Sequence, residues 1–355
     1  METEIGVSTR SGDRTGVIAP YPPSVVDRFM VRVDRLPGPV WLFYLALLAV
    51  LIVIFNGFSW LNGSVQFGGF DLYRTSIPVY LVFSLALMHY LDHVAHLSLA
   101  AFRPALGASE AEYLRYEYEL TTLPRKKTWW VLGLSLFFTA AYIVFTPNLA
   151  GAFRQSPWLV IVDSVFYIIV FGLIAALVYH TLRQIRLVSL IHASAKNVNL
   201  FQRTPLYAFS GLTARTGIGI LLLNYLSVLT DPTTFVNPAL IGLTVFASLA
   251  AIACFVFPLI GMHNRIVSEK KHLIAEANTR LEATIEQVYR RADTHDLSGS
   301  YQLNQLLASL ITTREVLEKI PTWPWETGTL TVFVTAFLLP LIVRLFVALL
   351  ELFVF

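Results

Sequence analysis

The sequence predicts an all-α integral membrane protein: seven transmembrane helices, with a coiled-coil-like cytoplasmic helical hairpin between helices 6 and 7. Three observations carry this. Of 355 residues, 55% are hydrophobic and only 14% charged, where a soluble domain carries about a quarter charged residues. Long apolar stretches recur along the chain, at 39–58, 76–99, 128–147, 157–182, 208–229, 236–261 and 328–352. Between them the basic residues collect in alternate segments: 23 of the 26 Lys and Arg fall in 1–40, 100–127, 183–215 and 263–327, leaving Arg74, Arg154 and Arg344.

Each stretch supplies enough residues, at 1.5 Å per residue, to cross roughly 30 Å of hydrocarbon. The basic asymmetry places the N-terminus in the cytoplasm and, with seven spans, the C-terminus outside. Trp60, Tyr73 and Trp158 then fall near the outer interface, and Trp129, Trp130, Trp323 and Trp325 near the inner one, as aromatic belts do. The formal charge of +3 is explained by this one-sided distribution and gives no reason to expect nucleic acid. Membrane lipid is the expected surrounding partner.

Residues 1–24 are rich in Gly, Ser, Thr, Pro and charge and are expected to be disordered. The first 40 residues hold no apolar core with a small-residue cleavage site, so no cleavable signal peptide is expected. Modest loops without an export signal fit a prokaryotic inner membrane. Residues 25–36 alternate apolar side chains with Arg28, Arg32 and Arg35, as in a short amphipathic helix on the inner surface, stopped by Pro37 and Pro39. The helical pattern of the fourth span runs on through Arg183, Leu187 and Ile191 towards Leu200. The sixth continues in a stripe, Ile266, Ile274, Ala277, Leu281, Ile285 and Val288, with charges between. A polar break containing Gly299 separates it from a second stripe, Leu303, Leu307, Leu310, Leu317 and Ile320. The two stripes predict a helical hairpin that assembles a homo-oligomer. The chain divides into a cytoplasmic N-terminal part (1–38), a six-helix membrane domain (39–261), the hairpin (262–320), and a hinge with the seventh helix (321–355).

The sharpest local constellation is His89, Asp92, His93 and His96. Steps of three and four put them along one helical face, and ionisable groups within a span are costly enough to start as a functional hypothesis. Three imidazoles and a carboxylate suit a divalent metal, a ligand or proton transfer; interhelical packing is the structural alternative. No other cofactor is expected. Asp163 and Arg344 lie at depths of roughly 9 and 12 Å from the outer surface, close enough to pair if their helices touch. The alternative is that Arg344, with Glu351 near the outer mouth, lines an aqueous pore repeated around an oligomer. Pro321, Trp323, Pro324 and Trp325 join the hairpin to the last span, either as an interface anchor or as a hinge. The small residues Gly242, Ala247, Ser248, Ala250, Ala251 and Ala253 of span six suit close helix packing. The single cysteine, Cys254, is read as a packed thiol. The chain carries no phosphate-binding loop, dinucleotide fingerprint, HExxH or nucleophile elbow, so an enzymatic role would rest on the His cluster alone. A non-enzymatic protein is expected.

In layout the chain resembles the insect odorant- and gustatory-receptor class of ligand-gated channels. The shared points are seven spans, an inner N-terminus, prolonged fourth and sixth helices, a broken seventh segment and almost no tail. That resemblance implies that 262–320 anchor an oligomer and that 328–352 line its pore. The Thr-Tyr and Gln-Phe pattern of that class's last helix is absent from 329–355, so the resemblance covers topology and no motif. The function expected is an oligomeric channel or channel-like ligand receptor. The competing expectations are a signalling or scaffolding receptor whose hairpin docks a cytoplasmic partner, and a metal-binding membrane protein using the His cluster.

Overall fold

The computed structural model describes residues 19–145, 157–230, 237–294 and 299–354, with backbone alone for Tyr73, Pro340, Leu341 and 343–354. Arg154 and His295 lie outside it. The helices are α1 (Val25–Asp34), α2 (Val40–Leu61), α3 (Leu72–Leu106), α4 (Glu110–Thr121), α5 (Arg125–Phe145), α6 (Pro157–Ser194), α7 (Arg203–Tyr207), α8 (Ser210–Thr230), α9 (Pro238–Asp293), α10 (Ser300–Glu318) and α11 (Thr327–Val354). No strand occurs among the described residues. Among the described residues six helices are long and apolar enough to cross a membrane: α2, α3, α5, α6, α9 and the run α7–α8.

Local chemistry starts and stops these helices. Capping boxes open α1 (Ser24 with Asp27) and α4 (Ser109 with Glu112), each satisfying backbone N–H groups that a helix start leaves free. Gly107, at φ 57°, ends α3, a conformation that favours glycine. Asn237 caps α9, with Pro238 in its first turn. Three basic side chains close helix ends: Arg183 donates to Glu119 O and Thr122 O after α4, Arg265 to Ala193 O and Ala195 O after α6, and Lys270 to Glu318 O and Ile320 O after α10. Cations at these negative helix ends are favourable.

α3 is the central helix, with 61% of its most apolar window buried against 11% for α5. It packs against α2, α4, α6, α7 and α8. α8 crosses α9, α3 and α11. An added Cβ at Gly217 would stand 2.8 Å from Ala251 O and 2.6 Å from Phe333, and one at Gly219 would stand 2.5 Å from Leu87. These two glycines let the helices meet backbone to side chain. Of the small residues expected to do this from span six, Ala251 lies at the crossing and Gly242 faces open space.

Several segments differ from the expectation. Residues 19–24 are ordered by bonds to the α4–α5 junction: Ser24 N donates to Leu123 O, Arg125 N to Pro22 O, and Pro23 bridges Pro124. α1 buries Val26, Met30 and Val33 in the bundle and exposes its arginines. α4 and α7 interrupt what composition marked as loops. α6 stops at Ser194, short of Leu200. α9 runs unbroken for 56 residues, and α10 packs on its far half: Ala277, Thr284, Leu317 and Ile320 are buried. Ile274, Leu281, Ile285, Leu303, Leu307 and Leu310 are half-buried and Val288 exposed. Much of the stripe therefore serves contacts within the chain.

Candidate functional site

The row on α3 reaches three neighbouring helices through buried and half-buried polar contacts. His89, Asp92 and His96 each reach a different neighbour. His89 Nε2 meets Asp34 Oδ1 at 2.8 Å, at the end of α1, while its Nδ1 meets the Tyr44 hydroxyl of α2 at 3.0 Å. A neutral ring satisfies both by donating from Nε2 and accepting at Nδ1; a charged ring donates through both. One turn on, Asp92 Oδ1 accepts from His180 Nε2 of α6 at 2.8 Å, with side-chain exposures of 0% and 2%. Gln184 Nε2 donates to the same oxygen at 3.4 Å and to Leu120 O at 3.1 Å. His96 Nδ1 meets Glu117 Oε1 of α4 at 2.8 Å, in a more exposed position. His93 points outward and is exposed. One helix face thus ties α1, α6 and α4 to α3 through three imidazole–carboxylate pairs.

Dispersal of the row bears on metal. Its four predicted members do not converge, and no group of three or more His, Cys, Asp or Glu positioned to hold a metal ion occurs among the described residues. Cys254 is buried.

Below the row, the N-terminal strap closes over a second layer. Asp27 Oδ2 accepts from Ser24 N at 2.9 Å and Leu123 N at 3.0 Å. Burial lifts its carboxyl above the usual range, the N–H bond of Ser24 opposes that, and the nearby Asp92 charge adds to it. Tyr21 donates to Thr122 O at 3.0 Å, accepts from Arg183, and lies beneath its guanidinium. Burial raises the Tyr21 phenol above its ordinary value. Tyr118 donates to Tyr21 O at 2.6 Å. The carboxylates Asp27 and Asp34, the hub Arg183 and the pair His180/Gln184 were not singled out from sequence. The serine and aspartate of Ser24-x-x-Asp27 were a readable capping signal; the i, i+4 spacing of His180 and Gln184 was readable only once α6 was known to face α3.

At the N-terminal ends of α3 and α6, Asp163 of α6 pairs with Arg74 of α3 at 2.5 Å, and that guanidinium lies over the Phe55 ring at 5.1 Å. The expected Asp163–Arg344 pairing involves a side chain outside the described residues; the partner that the described residues give Asp163 is Arg74. α6 packs on α3, and α11 packs on α8. The side chains of Arg344 and Glu351 lie outside the described residues.

The expected hinge is a stack of rings. His263 lies on Trp323 at 4.1 Å, Trp323 on Trp325 at 4.5 Å, Trp325 on Phe255 at 5.4 Å, and Phe255 on Phe333 at 4.5 Å. His263 Nδ1 also meets Thr322 O at 3.0 Å. Pro324 is buried and Pro321 exposed. The ladder clamps 321–326 between α9 and the start of α11.

No protein-family model, curated protein or solved structure matches the chain. What the chain can be called is an all-helical protein with six candidate membrane-spanning helices among the described residues.

Proposed function

We propose that the chain is a non-enzymatic, multi-pass membrane protein that works as an oligomeric channel or channel-like ligand receptor. In this reading α11 is a seventh span: its 28 residues reach about 42 Å at helical rise, more than the hydrocarbon thickness. The N-terminus is cytoplasmic, following the basic residues, and α9 with α10 forms the hairpin beneath the membrane. The carrying observation is the partner choice at the outer rim. Asp163, the acid the sequence offers Arg344 at that depth, is bonded to Arg74 at 2.5 Å. An arginine in an otherwise apolar helix costs at least about 2.5–3.5 kcal/mol in hydrocarbon. A water-lined path between copies, with Glu351 at its mouth, removes that cost.

A second reading rests on the outer surface of the hairpin, where Tyr289, Tyr301 and Leu306 are exposed. A signalling receptor would use this surface to dock a separate cytoplasmic protein. Oligomeric mass in nanodiscs, for the full chain and for a deletion of 266–319, separates the two. A closed oligomer lost on deletion, with bilayer currents altered by Arg344→Glu, supports the channel. A monomer in both cases, without conductance, overturns it.

A further inference from the structure

The two acids of α1 both turn inward. Asp27 accepts from Ser24 and Leu123, and Asp34 pairs with His89. Its three arginines, Arg28, Arg32 and Arg35, stand four and three residues apart and are all exposed, so they share the opposite face. This face continues onto a second element. Arg28 Nε donates to Ser24 O at 3.4 Å, Ser24 N donates to Leu123 O, and Arg125 N donates to Pro22 O. Arg125, Lys126 and Lys127 follow at the start of α5, all exposed, with no acid in that turn.

Several exposed arginines elsewhere are charge-matched. Arg103, Arg115, Arg280, Arg290 and Arg314 each have a glutamate partner. Among the described residues none of the six cations at the α1–α5 seam is in a salt bridge. Their location names the class of partner. The seam lies where two candidate spans begin, α2 at Val40 and α5 at Arg125. One turn further on, Trp129 and Trp130 are exposed, the latter at 81%, as side chains at headgroup level are. We propose that this seam binds the phosphodiester headgroups of anionic phospholipids, which hold α1 and the N-terminal strap against the membrane.

The test is native mass spectrometry of the full chain in detergent, titrated with phosphatidylglycerol or phosphatidylcholine. A basic side chain near an anionic membrane is worth about fivefold in binding. Arg28→Gln/Arg32→Gln/Arg35→Gln and Arg125→Gln/Lys126→Gln/Lys127→Gln should each lower phosphatidylglycerol occupancy at least about tenfold. Arg280→Gln/Arg290→Gln should leave it unchanged, and Arg28→Lys/Arg32→Lys/Arg35→Lys should keep it. Salt should weaken the wild-type preference. Equal occupancy by the two lipids, or an undiminished preference in both neutralised variants, overturns the proposal. So does displacement of the lipid by inorganic phosphate at equal concentration, which would make the seam a site for soluble anions. Should a neutralised variant fail to fold, the lysine variant and the wild-type salt titration decide.

Discussion

Asp92→Ala is the substitution whose outcome distinguishes a buried ionic junction from an ordinary interhelical hydrogen bond. Asp92 Oδ1 accepts from His180 Nε2 at 2.8 Å and from Gln184 Nε2 at 3.4 Å. Both donors are essentially without solvent, His180 at 1% and Gln184 at 2% exposure, so alanine strands the His180 donor and removes one of the two bonds of Gln184. Removing one partner of a buried pair costs about 3–5 kcal/mol, whereas interhelical hydrogen bonds inside a membrane average only about 0.6 kcal/mol. Gln184 keeps its bond to Leu120 O, which puts Asp92→Ala at the lower end, about 3 kcal/mol. Asp92→Asn keeps an oxygen for both donors and should cost about 1 kcal/mol. The double variant Asp92→Ala/His180→Ala should fall short of the sum of its singles by at least about 1 kcal/mol, since each single strands the other group. Unfolding in mixed micelles by a denaturing detergent reads the wild type, the Asp92→Ala, Asp92→Asn and His180→Ala variants and the double variant. Additive singles, or an Asp92→Ala cost under about 1 kcal/mol, would refute the stranded-partner argument.

Three further expectations rest on separate contacts. Asp27 has a native pKa raised by burial, so the folded chain holds that proton more tightly than the unfolded one. The stabilisation is complete below the ordinary carboxylate value of about 4 and declines as pH rises from there through the raised native value. Asp27→Asn should remove this decline while keeping an acceptor for Ser24 N and Leu123 N; parallel pH–stability curves for the two proteins would contradict it. Gly217→Ala should cost about 1–3 kcal/mol through overpacking, because Ala251 O cannot yield, while Gly242→Ala, with nothing within 4 Å, should not destabilise; equal melting temperatures would count against the crossing. Arg74→Ala should weaken the α3–α6 contact by about 1–2 kcal/mol, discounted for its partial exposure, and the exchange Arg74→Asp/Asp163→Arg should recover part of it. Recovery by a compensating change at Arg344 instead would restore the pairing read from sequence.

Much of the helix layout was legible because its signals are local. α6 and α9 were both expected to run past their spans, and Pro157–Ser194 and Pro238–Asp293 do. α4 was missed although Ser109 and Glu112 spell a capping box, because attention to hydropathy passes over a polar helix of 12 residues. The site was legible only by half. Spacing put His89, Asp92, His93 and His96 on one face, of which His93 turns outward, but the partners of the other three, Asp34, His180 and Glu117, lie 55, 88 and 21 positions away in the chain, and no periodicity reports such distances.

By itself the sequence determined that the chain is all-helical with several helices apolar and long enough to cross a membrane, because hydropathy and capping residues act on neighbouring residues or on each segment's exchange with water and lipid. Tertiary structure alone decided who pairs with whom. Asp163 met Arg74, the row on α3 bonded to partners on three other helices instead of converging, and the strap at Tyr21–Ser24 became ordered. Each of these is a contest between partners brought together by helix crossings, where a few ångströms select the bond and an unpaired buried charge is too costly to leave.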